Sequence, residues 1–200
     1  MDLKPLPLDG RFVRLLPIAP EMKDRVRAAV DCDPEAWSLI TFSSQGDAFA
    51  AAWERSLAQH ERGEALTYAI ERRADGRIVG RSSYLNIRIA DRGVEIGATF
   101  LHPDVRGGPV NPEAKLLMLG HAFASGAMRV ELATDARNLR SQAAIAKLGA
   151  QREGVLRAHR VTWTGHRRDT VVFSIIEEEW PAVHAGLEQR LGGFAQEVAS

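Results

Sequence analysis

The chain changes its hydrophobic rhythm halfway along, and that change narrows the available folds more than any other feature. Leu66-Thr67-Tyr68-Ala69-Ile70-Glu71 and the run over 78–85 read as strands on either side of Asp75-Gly76, a pair that closes a hairpin. Gly93 opens a third strand over 94–101. Beyond it the period lengthens. Leu116, Leu117, Leu119, Ala122 and Phe123 predict a helix over 112–125, followed by a strand over 130–134 and a helix over 139–148 stopped by Gly149. Before the hairpin, a strand over 13–17 leaves the turn at Asp9-Gly10. Met22, Val26, Ala29 and Val30 are then spaced as a helix, and a second helix spans 47–62. Strands over 155–163 and 169–176 and a helix from near Glu177 complete the expected order, β-α-α-β-β-β-α-β-α-β-β-α. Antiparallel hairpins followed by β-α-β crossovers predict a mixed α/β (α+β) sheet with helices packed on it. A doubly wound nucleotide fold would alternate throughout. The 200 residues suit a single domain over 1–200, with a core over about 8–187 and a short C-terminal tail.

Composition excludes several functions. Basic and acidic residues balance at 26 each, so no net field favours nucleic acid or an anionic membrane. No apolar run approaches a membrane span, and residues 1–7 lack the apolar core of a signal, so a cytoplasmic protein is expected. The lone Cys32 excludes an intrachain disulfide, and Asp31 and Asp33 beside it disfavour a thiolate. The six histidines have no metal-ligand spacing, so no metal is expected.

Two segments carry chemistry. In the first, the strand over 94–101 turns through Arg106, Gly107, Gly108, Pro109 and Val110 into a helix, for which Asn111 is the expected N-cap and Pro112 the first residue. A glycine turn feeding a helix N-terminus aims free N–H groups and a positive dipole end at one point, which suits a phosphate. An ordinary strand-turn-helix connection reads equally well. The loop is neither a Walker loop nor a dinucleotide fingerprint. In the second segment, Asn138 and Ser141 stand three apart at the start of the helix over 139–148. They either face the mouth of a cleft or cap that helix.

The motif Asn138-x-x-Ser141-x-x-Ala144-x-x-x-Leu148-Gly149-Ala150, with Glu153-Gly154-Val155-Leu156-Arg157 and Arg168-Asp169-x-x-x-Phe173-Ser174, resembles the GNAT superfamily of N-acetyltransferases. Within it the resemblance is to the ribosomal-protein-alanine (Rim-type) branch. Glu95-Ile96-Gly97, Trp180-Pro181 and Asn111-Pro112-Glu113-Ala114-Lys115 add to the match, which covers about 8–187.

The resemblance implies a mostly antiparallel sheet whose central parallel pair splays to admit the pantetheine arm of acetyl-CoA. It further implies that the backbone of Phe100 and Leu101 bonds that arm, and that the pyrophosphate sits on Arg106, Gly107, Gly108, Val110 and Asn111. Asn138 and Ser141 would approach from the other side. The family loop reads Arg/Gln-x-x-Gly-x-Gly/Ala. Here Pro109 and Asn111 replace the last two small residues, and Pro109 brings no N–H. Acetyl transfer to an amine needs a base and a proton donor for the leaving thiolate. Glu95 is the expected base, in strand alternation beside the cleft, and Ser141 the expected donor. Arg160 stands where some Rim-type relatives carry a carboxylate. The acceptor is expected to be an amine, either a protein N-terminal α-amine or a small molecule such as a drug or polyamine. A non-catalytic acyl-CoA sensor is the rival from another class. The resemblance also leaves room for a homodimer.

Overall fold

The computed structural model describes residues 1–199. Eight strands form one sheet: β1 (Leu8–Asp9), β2 (Val13–Pro17), β3 (Leu66–Arg72), β4 (Ile78–Arg88), β5 (Gly93–Leu101), β6 (Arg129–Asp135), β7 (Gln151–Val161) and β8 (Arg167–Ile176). Their spatial order is β1-β2-β3-β4-β5-β6-β8-β7. Every neighbouring pair is antiparallel except β5 and β6. The helices are α1 (Lys23–Val30), α2 (Pro34–Ser38), α3 (Ala48–Glu61), α4 (Val110–Ala124), α5 (Leu139–Ala146) and α6 (Trp180–Ala199). This is the mixed sheet with flanking helices that the sequence predicts. It adds two short pieces, β1 and α2, that periodicity cannot register.

The sheet separates two apolar layers. Val94 and Ile96 of β5, Leu132 of β6 and Val171, Phe173 and Ile175 of β8 point to the layer filled by α4, α5 and α6. Ala69, Ile78 and Phe100 point the other way, against Val26 and Val30 of α1, Trp37 of α2, and Phe49 and Trp53 of α3. Trp37 and Trp53 are fully enclosed. Each such side chain contributes about 2–3 kcal/mol through burial. Leu187 and Leu191 of α6 both lie in the first layer, so helix packing continues past residue 187. Among the described residues, no helix is long and apolar enough to cross a membrane.

Two local irregularities shape the centre. β5 and β6 pair only from Gly93↔Arg129 to Glu95↔Glu131, although the strands run on to Leu101 and Asp135. The parallel pair therefore forks one residue beyond Glu95. On the other side of β5 the register with β4 slips between Arg81↔Phe100 and Ser83↔Gly97. The extra residue is absorbed by Ala98, whose φ of 48° is left-handed. A non-glycine residue held there stores backbone strain of about 1–3 kcal/mol, the kind that recurs where a strand must re-aim its groups.

The start of α4 differs from expectation. The helix begins at Val110 with Pro109 as its cap, two residues before the start predicted at Asn111-Pro112. Pro109 already has helical angles, φ −73° and ψ −16°, and its carbonyl accepts the first helical bond from Glu113 N–H at 3.0 Å. Asn111 is thus a first-turn residue and makes no cap. Pro112 loses nothing there, because N–H groups of a first turn have no helical acceptor. Glu113 also does more than complement the dipole. Its buried carboxylate accepts from the N–H groups of Arg11, Phe12 and Val13 at 2.7, 2.6 and 2.7 Å and so ties α4 to the β1–β2 turn. Gly10 makes room for it: a Cβ there would lie 2.5 Å from the Glu113 carboxyl carbon.

Candidate active site

A cleft of about 710 Å³ opens where β5 and β6 part. β5 from Glu95 to Leu101 forms one wall and Glu131 to Thr134 of β6 the other. α5 closes one end through Asn138 and Ser141, and the loop at Arg106 and Gly107 with the first turns of α4 closes another. Of the nine cofactor positions expected from sequence, Phe100, Leu101, Arg106, Gly107, Asn111, Asn138 and Ser141 line this cleft. Gly108 and Val110 do not; they border a neighbouring recess of about 500 Å³ with Phe12 and Asp104.

Glu95 stands at the fork, directly across from Glu131. Its Oε2 accepts from Asn86 Nδ2 at 2.6 Å. Asn86 is itself held at a left-handed φ of 47°. Burial pushes the Glu95 carboxyl above its ordinary range, opposed by the Asn86 bond and by the charges of Arg160 and Arg168, with Glu131 adding to the rise. A half-desolvated carboxylate with a raised pKa beside a cleft is suited to taking a proton. Asn86, absent from the sequence-based set, is the group that orients it.

The α4 side of the cleft holds a second group that the sequence conceals. Lys115 is buried, and its Nζ donates to Thr99 Oγ1 at 2.6 Å and Ser82 Oγ at 3.1 Å. The two hydroxyls lie 2.8 Å apart. Burial brings the Lys115 ammonium down to about 7. The triangle pins α4 to the irregular stretch of β5 at Thr99. Lys115 falls on the buried side of a helix whose polar residues otherwise read as solvated; its spacing from Leu119 and Ala122, at i+4 and i+7, was the available signal.

Arg106 is already engaged. Its Nη1 meets Asp33 Oδ2 at 2.6 Å, its Nε donates to the Leu101 carbonyl at 3.0 Å, and its guanidinium lies 5.6 Å from the Phe100 ring centre. Phe100 in turn stacks on Trp37 at 5.0 Å. The Leu101 carbonyl, expected to bond pantetheine, is therefore shared with Arg106. Gly107 has φ 84° and open space where a Cβ would stand, so the backbone there is accessible. Asn138 is the N-cap of α5, its Oδ1 accepting from Ser141 N–H at 3.0 Å. Both readings of Asn138 thus meet, since the capping residue also faces the cleft. His159 and Arg160 of β7 and Arg168 and Thr170 of β8 line the remaining side. Cys32, exposed and outside the cleft lining, has its pKa raised by partial burial and by Asp33, Asp104 and Asp31, against the lowering charge of Arg106.

The family model described as an acetyltransferase (GNAT) domain matches residues 13–151. A solved structure from T. thermophilus described as an acetyltransferase is 37% identical, with a TM-score of 0.85 over 96% of this chain and 100% of that one. A GCN5-related N-acetyltransferase from Brucella melitensis is 28% identical, with a TM-score of 0.83 over 94% of this chain and 86% of that one. RimJ from Mycobacterium smegmatis, solved with CoA-disulfide, shares the fold at 24% identity and a TM-score of 0.75, over 92% of this chain and 93% of that one. No curated protein matches the sequence.

Proposed function

Since this chain belongs to the GNAT acetyltransferase family, and is an N-acetyltransferase by that membership, we propose that acetyl-CoA is its acetyl donor and that the amine is activated by Glu95. The observation that carries this reading is the fork of β5 and β6 one residue past Glu95, which leaves two facing strand edges beside a desolvated carboxylate.

The residues fit a coenzyme A ligand. An extended pantetheine arm can add to the open edge of β5 as a strand would. The N-terminus of α4 and the accessible backbone at Gly107 offer an anion site, with two donors fewer because Pro109 and Pro112 lack an N–H. RimJ, which shares this fold, was solved with CoA-disulfide, which supports a coenzyme A ligand. Acetyl-CoA supplies a thioester carbonyl open to attack. Glu95 takes the proton of the incoming amine, directly or through a water, and Asn86 fixes its orientation. Backbone N–H groups around the Ala98 irregularity polarise the carbonyl, and Ser141 gives a hydrogen bond to the departing sulfur. The whole chain, 1–200, works as one such domain.

For the acceptor, the Rim-type likeness supports a protein N-terminal α-amine. A small amine is the second reading. Against a polyamine stand two arginines that line the cleft, Arg160 and Arg168, where a polycation would need carboxylates. The test is amine-dependent release of CoA from acetyl-CoA across a panel of peptides and small amines, with the acetylated product identified by mass. Acetyl-CoA binding without amine-dependent CoA release would instead make the protein a sensor.

A further inference from the structure

Resting on that reading, we infer that the acceptor carries a carboxylate close to its amine, and that Arg168, with Thr170 and Arg160, receives it in the cleft beside Glu95. Along β8 the side chains alternate. Val171, Phe173 and Ile175 enter the main core, so Arg168 and Thr170 face the opposite side, and both line the cleft. Arg168 is 8% exposed and Thr170 2%. Arg168 Nε and Thr170 Oγ1 are nevertheless buried without any hydrogen-bond partner.

Each orphaned buried group costs about 1–3 kcal/mol. Two of them stand on one face of one strand, in residues that line one cleft, where a polar ligand drawing the side chains toward it would satisfy them. The acids on this wall are already taken. Asp135 is held by Arg137 at 2.8 and 3.0 Å, and Glu131 by Arg88 at 2.7 Å and Arg129 at 3.1 Å. Arg160, paired with Arg168 across β7 and β8, adds a second cation. Arg81, buried on the same face of β4, likewise leaves Nε and Nη1 without partners and sits 5.7 Å from the ring of Phe42, a cleft residue. A planar guanidinium with free donors matches a carboxylate in two-point contact.

Arg160, Arg168 and Thr170 line the same cleft as Glu95, so the anion and the reacting amine belong to one small region of the acceptor. In the transfer, the ammonium passes one proton to Glu95, the freed amine bonds the acetyl carbon, and as the C–S bond breaks the second N–H proton passes to the sulfur, which leaves as the thiol of CoA. The carboxylate takes no part beyond holding the nitrogen in line. It can be the α-carboxylate of a free amino acid or the side chain of an acidic N-terminal residue.

Initial rates of the full chain with acetyl-CoA decide between these sources through two matched pairs: L-alanine against L-alaninamide, and Asp-Ala-amide against Asn-Ala-amide. The carboxylate member of one pair should lead by about tenfold or more in kcat/KM. Arg168→Met should abolish that lead through the acceptor KM, leaving the acetyl-CoA KM unchanged, and Arg168→Lys should keep part of it. Neutral members matching or exceeding their carboxylate partners in both pairs would overturn the inference. Arg160→Gln, at an exposed position, supplies the same readout should Arg168→Met fail to fold. If no amine is acetylated, the acetyl-transfer reading fails. The anion site is then still decided by titrating N-acetyl-L-alanine and N-acetyl-L-alaninamide into the CoA-loaded protein: tighter binding of the acid upholds it, and equal binding removes it.

Discussion

The α4 side of the cleft and the β8 side carry buried charge in opposite ways. On the α4 side, Glu113 receives three backbone N–H groups and Lys115 two hydroxyls, so each charge is spent inside the protein. On the β8 side, the cleft residues Arg168 and Thr170 are buried to a similar degree and each keeps an unmatched atom. Burial alone does not separate scaffold from ligand site on these two sides of the cleft; satisfaction does. A charge with internal partners fixes the position of α4 and β5, and a charge without them costs stability that only a bound molecule recovers.

The contrast breaks if the two sides respond alike to truncation. Glu113→Ala strips acceptors from three backbone donors, each worth about 1–3 kcal/mol when left unsatisfied, and should lower the unfolding free energy by about 3 kcal/mol or more, read from urea midpoints. Arg168→Met removes a buried charge with no partner and should raise the stability of the free protein by about 1–3 kcal/mol. Similar large losses for both would put Arg168 in the scaffold.

Glu95 joins the two sides, and its removal should appear in rate with little effect on stability. Glu95→Gln should lower turnover by about a hundredfold, roughly 2.7 kcal/mol, with acetyl-CoA affinity nearly unchanged. Because burial raises its pKa, the wild-type rate should fall as pH drops through a value above the ordinary carboxylate range. Asn86→Ala, which removes the bond favouring the ionised form, should move that limb higher. Unaltered turnover in Glu95→Gln would make the carboxylate structural.

Lys115 gives the most pH-dependent effect. Its native pKa of about 7 lies below the ordinary 10.5, so the folded protein binds fewer protons than the unfolded chain between those values. Its contribution to stability therefore rises with pH from about 7 to about 10.5 and is flat below 7. Lys115→Met removes this slope, so the variant should compare better with wild type at pH 7 than at pH 9.5. A wild-type-minus-variant difference independent of pH would mean that Lys115 stays charged in its site.

The sequence disclosed what rests on periodicity and local turn chemistry. The β3–β4 hairpin at Asp75-Gly76 and the capped α5 appear where expected, and strand alternation was enough to bring Glu95 to the cleft. The α4 start was misjudged because Asn-Pro is a strong cap signal, whereas Pro109 takes helical angles and caps the helix itself. The ion pair of Arg106 with Asp33 is visible only in the fold, because no sequence pattern links residues 73 apart. Lys115 and Arg168 were hidden for a shared reason. A charged residue in an amphipathic element is usually solvated, and only the finished packing reveals one that is buried.

The central claim is that the unpaired edges of β5 and β6 receive acetyl-CoA. Amide hydrogen exchange with and without acetyl-CoA tests it most directly. Residues 96–101 of β5 and the 107–111 segment entering α4 should gain protection on binding, while β1 to β3, away from the fork, should not. Tight binding that leaves 96–101 unprotected, or protects β1 to β3 instead, would place the cofactor elsewhere and contradict the account.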